Sequence, residues 1–240
     1  AVATFRNLED AGSTVTQIMS SGIIPAVMEI MDRPTIQAIN QNTDLGLPEA
    51  GAMLLVETDG YTRTETDYQL EKVIEVFNAN NPLDVKKASS KEEALDLWKA
   101  RKSAVPVLAR IKTHFVLEDV TVPMGRIADL LRGIGEISGK YQLQIATFGH
   151  AGDGNLHPQI LYDGYNPEEV KLVEAAVADL FKLAVDLNGT LTGEHGIGMA
   201  KAPFMALEHD VAELGVMRAV KQALDPNNIL NPGKMALEVN

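Results

Sequence analysis

The stretch FGHAGDGNLHPQI, Phe148 to Ile160, places two histidines, His150 and His157, at the ends of a tight turn. Gly152 and Gly154 permit the positive φ such a turn needs, and Asp153 and Asn155 can bond their own backbone. The turn thus explains its Gly, Asp and Asn but not two imidazoles. These can act as metal ligands, as a proton relay, or as polar residues at the mouth of a hairpin. Two neighbouring imidazoles resist joint protonation, whereas a divalent cation satisfies both.

A second stretch, GTLTGEHGIG, sets Glu194 beside His195 among four glycines, Gly189, Gly193, Gly196 and Gly198. So many glycines bring backbone close to a ligand or another domain, or else make a flexible surface loop with a solvated Glu-His pair. The phosphate-loop, HExxH and calcium-loop spacings are absent. If the loop folds back on the hairpin, His150, His157 and Glu194 make a two-His, one-carboxylate set. That set suits Zn²⁺, Mn²⁺ or Fe²⁺ with positions left open for substrate, and His195 becomes a base beside the metal. In LWKARKSAVP, Arg101 and Lys102 form an exposed basic helix end, or Arg101 forks onto a substrate carboxylate. His114 and His209 lack a cluster and read as structural or surface residues. Met199, Met205, Met217 and Met235 read as gap fillers.

These residues need a scaffold, and composition bounds it. The chain has 240 residues, 45% hydrophobic and 22% charged, as in a globular protein of one large domain or two small ones. A formal net charge of −12 argues against nucleic acid and anionic membranes as partners. There is no Cys, so any metal must use His and carboxylates, and the lack of thiols suits a cytoplasmic protein. No apolar run approaches membrane-spanning length. The chain opens AVATFRNLEDAG, without Met or leader pattern, and enters a strand at once. This start reads as a domain boundary inside a longer protein.

Periodicity predicts strands over 1–5, 25–31, 52–58, 115–122, 141–148 and 156–162. It predicts helices from Leu8 to about Met19, over 35–40, 68–78 and 90–103, after Pro123, over 167–187, and within 203–224. Residues 80–87 read as a loop and 225–234 as an irregular tail. The element order is β-α-β-α-β-α over 1–79 and β-α-β-β-α over 114–187. Each half is ferredoxin-like, giving an α+β fold in which helices pack on one face of an antiparallel sheet. A fold of this kind also suits a small-anion or metal-binding module without catalysis.

FGHAGDGNLHPQI, GTLTGEHGIGMAK and LDPNNILNPGK follow one another in that order. Together with WKARKSAVP and EDVTVPMGRIADLL they resemble the C-terminal domain of the FAD-linked oxidases. The likeness lies in the group of glycolate oxidase, D-lactate dehydrogenase and D-2-hydroxyglutarate dehydrogenase, and covers essentially the whole chain. The resemblance implies that residues 1–240 form the substrate-side, or cap, domain. It implies an N-terminal FAD-binding domain elsewhere in the protein, so that the chain alone would not oxidise anything. Partners implied are that FAD domain and a small 2-hydroxy acid, with self-association or further oxidase polypeptides left open. It implies metal ligation by His150, His157 and Glu194, a proton-accepting base in His195, and substrate contacts from Arg101 and Asn155. It further implies a return toward the flavin at Asn231. Where dicarboxylate-using relatives carry Thr four residues after the motif arginine and Lys in the next strand, this chain has Val105 and Leu117. That departure favours a small monocarboxylate such as glycolate or D-lactate over a diacid.

Overall fold

The computed structural model describes residues 1–235 and Leu237. Its first half runs β1 (Val2–Phe5), α1 (Leu8–Ser20), β2 (Val27–Asp32), α2 (Arg33–Asn42), β3 (Ala52–Glu57), α3 (Arg63–Ala79) and β4 (Pro82–Lys86). Then α4 (Lys91–Leu108) leads to β5 (His114–Leu117), β6 (Val120–Thr121), α5 (Ile127–Tyr141), β7 (Gln144–His150), β8 (Asn155–Tyr162) and α6 (Pro167–Asp186). Two further helices follow, α7 (Met205–Glu208) and α8 (Val211–Leu224). One antiparallel sheet contains every strand, in the order β4-β1-β3-β2-β7-β8-β5, with β6 also on β8.

Two ferredoxin-like units are visible in that order. The first is β4-β1-β3-β2, complete. The second is β7-β8-β5/β6, which lacks a fourth strand. They join edge to edge through β2 and β7, where Glu29 faces His150 and Met31 faces Phe148. Side chains alternate across the sheet, so each strand feeds two cores. Ala3, Phe5, Ile30, Leu54, Ile145, Leu156 and Ile160 meet α1, α3, α5 and α6 on one face. Val2, Met31, Met53, Leu55, Ala146, Phe148 and Leu161 meet α2 and α4 on the other. The expected class and helical layer hold. The two helices outside the ferredoxin pattern add a smaller layer on the opposite face.

Local chemistry sets most helix starts: Asn7, Thr62, Ser90 and Asn166 each accept a backbone N–H of the first turn, and Asp210 completes a capping box with Glu213. Several expectations shift, and the helix expected over 90–103 runs on to Leu108 with Pro106 inside it. Residues 82–86 form an edge strand on β1 where the sequence reads as a loop, because an exposed edge carries no apolar alternation. The helix over 68–78 begins earlier, at Arg63, under the Thr62 cap. The strand over 115–122 is cut between Leu117 and Val120. Pro158 on β8 accounts for the cut: its carbonyl accepts Glu118 N–H at 2.9 Å, but it has no N–H to return on that same edge. The register on β8 is the same on both sides of the break, so Asp119 stays opposite His157.

Asp32 caps α2, accepting Thr35 N–H at 2.9 Å, and holds Thr147 N–H of β7 at 2.8 Å. Burial outweighs these donors and raises its pKa to about 6. The folded chain therefore holds this proton more tightly than the unfolded one, and the stabilisation is full below the unfolded value near 3.8 and lost as pH rises through 6. Moving from pH 7.5 to pH 5 should add about 1.4 kcal/mol to the unfolding free energy through this group. Urea titrations at the two pH values check this; Asp32→Asn should lack that increment.

Candidate metal and substrate site

The hairpin β7–β8 delivers both histidines to one edge of the sheet. His150 ends β7 opposite Asn155, and His157 lies on β8 opposite Phe148, so the two rings share the α4 face. Their centroids are 5.2 Å apart at 86°. Gly154 turns with φ +79°, and a Cβ there would lie 2.0 Å from the Val122 carbonyl. A side chain would separate the hairpin from the β6 segment.

The glycine-rich loop takes the place where the second unit's fourth strand would run. Thr190 and Thr121 exchange backbone hydrogen bonds of 2.8 and 3.3 Å along β6. Beyond Thr190 the chain wraps around Asp119. One oxygen of that fully buried carboxylate accepts the Thr192 hydroxyl at 2.5 Å and the N–H groups of Gly193, Glu194 and His195 at 3.0, 3.1 and 2.9 Å. A Cβ on Gly193 would sit 2.3 Å from both Asn155 Nδ2 and Thr121 Oγ1, so only glycine lets the loop approach this closely. Burial alone would raise Asp119, but the donors from Thr192, His195 and Glu194, with Lys201 beside it, bring its pKa down to about 2. Lys201 is buried. Its ammonium donates to the carbonyls of Asp119 and Leu191 at 2.9 and 2.7 Å and lies 3.6 Å from Glu118. Burial lowers the Lys201 pKa and raises that of Glu118.

Held this way, Glu194 points at the imidazoles. Its Oε1 lies 3.2 Å from His157 Nε2, 3.6 Å from His150 Nε2 and 3.6 Å from His195 Nε2. His195 stacks on His157, with centroids 5.1 Å apart and an 8° interplanar angle, and is 41% exposed. His157 is buried; burial, followed by neighbouring His150, lowers its pKa and favours the neutral ring. His150 Nδ1 meets Glu29 Oε1 at 2.5 Å, and Glu29 Oε2 accepts Arg101 Nε at 2.6 Å. The Arg101 guanidinium also lies 4.5 Å over the Phe148 ring.

One ligand atom each from His150, His157 and Glu194 lies within 4.8 Å of the other two. Tetrahedral ligands about 2.0–2.1 Å from a zinc ion stand about 3.3 Å apart, so the Glu194 distances fit a shared cation. The donor chemistry fits too, since neutral imidazoles and a carboxylate are borderline ligands for Zn²⁺, Mn²⁺ or Fe²⁺. Asp119, His157 and His195 make a second set of the same size. There one Asp119 oxygen already accepts four hydrogens, which ties that carboxylate to the loop.

The structure thus brings together His150, His157, Glu194 and His195, and connects Arg101 through Glu29. Asn155 is buried beneath Gly193, and its Oδ1 has no protein partner. Asn231 lies in an exposed turn with φ 49°. No side-chain hydrogen bond ties it to the cluster among the described residues, although Met235 N–H returns the chain to the Gly198 carbonyl at 2.7 Å. Glu29, Asp119 and Lys201 escape the sequence reading. Asp119 and Lys201 lie inside the motifs EDVTVPMGRIADLL and GTLTGEHGIGMAK without being singled out, and Glu29 left a trace as a carboxylate at an inward position of an apolar strand, VMEIMD.

Residues 1–235 match the model of the FAD linked oxidases, C-terminal domain. The chain belongs to that family. It is 43% identical over 235 residues to glycolate oxidase subunit GlcD of Bacillus subtilis (strain 168), covering 98% of this chain and 50% of that protein. It is 32% identical over 239 residues to the mitochondrial D-lactate dehydrogenase [cytochrome] of Arabidopsis thaliana, covering 98% and 41%. The chain spans about half the length of the curated relatives it matches. Among solved structures it resembles p-cresol methylhydroxylase with substrate bound, at a TM-score of 0.70 and 18% identity over 98% of this chain and 52% of that one. That likeness shows the fold. No helix among the described residues is long and apolar enough to cross a membrane.

Proposed function

We propose that this chain is the substrate-side domain of a flavin-dependent dehydrogenase or oxidase of a small D-2-hydroxy acid, of the glycolate or D-lactate type, working with an FAD-binding domain in the cytoplasm. The observation that carries the reading is the convergence of His150 and His157 on Glu194, with His195 open beside them and Arg101 tied to His150 through Glu29. Family membership and the GlcD and D-lactate dehydrogenase relatives support it.

In this reading Arg101 binds the substrate carboxylate through its terminal nitrogens, because Glu29 occupies its Nε. His150, His157 and Glu194 would hold a divalent cation, which when bound supplies a Lewis acid beside the substrate hydroxyl. His195 Nε2 takes the hydroxyl proton. FAD, bound mainly by the partner domain, supplies the hydride acceptor. Asn155 supports the floor beneath Gly193 and offers its free Oδ1 to substrate or water, and Asn231 would face the flavin side. A monocarboxylate fits better than a diacid: Val105 stands one turn along α4 from Arg101, and Leu117 packs into the core under α4, so neither adds a second cation.

Anaerobic mixing of the full-length protein with glycolate, D-lactate and 2-hydroxyglutarate tests the reading. The first two should bleach the flavin and the diacid should not. Binding of a hydroxy acid with no flavin reduction would point instead to a small-anion module. Elemental analysis of the purified chain, alongside His157→Ala, tests the ligand set. The variant should lose its metal, and equal content in both would remove the assignment.

A further inference from the structure

Glu29 reaches the site from the other ferredoxin-like unit. It is buried, 5% exposed, on β2, directly across the joint from His150. Both its oxygens are engaged, one by His150 Nδ1 at 2.5 Å and the other by Arg101 Nε at 2.6 Å. We propose that Glu29 is a positioning residue that fixes the His150 tautomer and the Arg101 orientation together, so that the metal ligand and the carboxylate anchor are set as one unit. The inference rests on the roles proposed above for His150 and Arg101.

The chemistry is directional. An ionised carboxylate only accepts hydrogen bonds, so the hydrogen of this contact sits on His150 Nδ1. In the neutral ring the lone pair is then on Nε2, the atom that faces Glu194 Oε1 at 3.6 Å. The other tautomer would aim an N–H at the place where a cation must bind. A carboxylate behind a ligating histidine also makes the ring a better donor to metal.

Arg101 gains a different benefit. Its planar group is clamped on two sides, by the Nε contact with Glu29 and by the Phe148 ring at 4.5 Å. The two terminal nitrogens remain as a fork for a substrate carboxylate. Arg101 is only 14% exposed, so the negative charge of Glu29 also balances a guanidinium that is largely out of water. Substrate anchor and metal ligand therefore share one acidic side chain, although they stand on α4 and β7.

The test uses the 240-residue chain labelled with ¹⁵N at histidine and arginine, free of metal, at pH 8. His150 should show a protonated Nδ1 and a bare Nε2, and the Arg101 Nε–H should exchange slowly. Glu29→Leu should abolish both signatures. Glu29→Gln should lose one of the two, because its amide NH₂ takes the place of one carboxylate oxygen and cannot accept from the partner it faces. Zn²⁺ titration should then show a dissociation constant about 10–100-fold higher in Glu29→Leu. Glu9→Gln, at a surface pair with Arg132, should match the unsubstituted chain. A His150 protonated on Nε2, or both signatures surviving in Glu29→Gln, overturns the proposal. A chain that takes up no zinc removes the metal reading instead, and the tautomer measurement decides the positioning role by itself.

Discussion

Replacing His195 by Ala should slow flavin reduction by a D-2-hydroxy acid about 10²–10⁴-fold in the full-length protein while leaving its metal content unchanged. The two halves of that expectation come from different features. His195 stands beside the set formed by His150, His157 and Glu194, so its loss opens no ligand position. Its ring is stacked on His157 and 41% exposed, so it is open to solvent. Its backbone is pinned by the 2.9 Å bond to Asp119, so the ring starts from one fixed point. A positioned imidazole that accepts the hydroxyl proton contributes an effect of this size. Stopped-flow bleaching of the flavin measures the rate, and elemental analysis measures the metal. Should the variant lose metal along with activity, His195 would belong to the second ligand set, with Asp119 and His157.

Asp119→Ala should destabilise the chain by about 3–5 kcal/mol, because it strands buried donors and removes an anion beside the buried Lys201. Four donors converge on one Asp119 oxygen, and three of them are backbone N–H groups of the residues that carry Glu194 and His195. Without that acceptor the loop keeps its Thr190 bridge to β6, the Glu208 contacts to Thr190 and Leu191, the Lys201 contacts and the Met235 bond to Gly198, none of which holds Glu194 or His195 directly. Glu194 then leaves the imidazoles, and metal uptake should fall with stability. Asp119→Asn can keep one oxygen toward the loop but removes the charge beside Lys201, so its stability should fall between that of Asp119→Ala and the parent. Urea titration at pH 7 reads the stability, and Zn²⁺ titration reads the site. An Asp119→Ala chain as stable as the parent would mean that the loop is held by other contacts.

Asp32 and Asp119 respond to pH in opposite ways. The depressed pKa of Asp119 gives stability that is present above its unfolded value near 3.8 and lost only as pH falls through about 2. Work between pH 5 and 7.5 therefore tests Asp32 while leaving Asp119 ionised.

The sequence by itself determined the α+β class, the repeated element order and the four residues of the central cluster. Those features are written locally: apolar period marks strands and helices, and glycines around His and Glu residues mark a close-packed polar turn. The helix starts after Asn7, Ser90 and Asn166 were legible for the same reason, since these caps bond within their own first turn, whereas the start at Thr62 was expected five residues too late. Only the tertiary structure decided the rest. The β4 edge strand exists through pairing with β1, and its own pattern of PLDVK gives no sign of that. The cut between β5 and β6 depends on Pro158, which lies about 40 residues away in the chain and meets Glu118 only across the sheet. Asp119 became the anchor of the glycine-rich loop, and Glu29 the bridge between His150 and Arg101, by contacts of long sequence separation. A carboxylate's role is set by the donors that surround it after folding, and sequence spacing does not encode which donors those are.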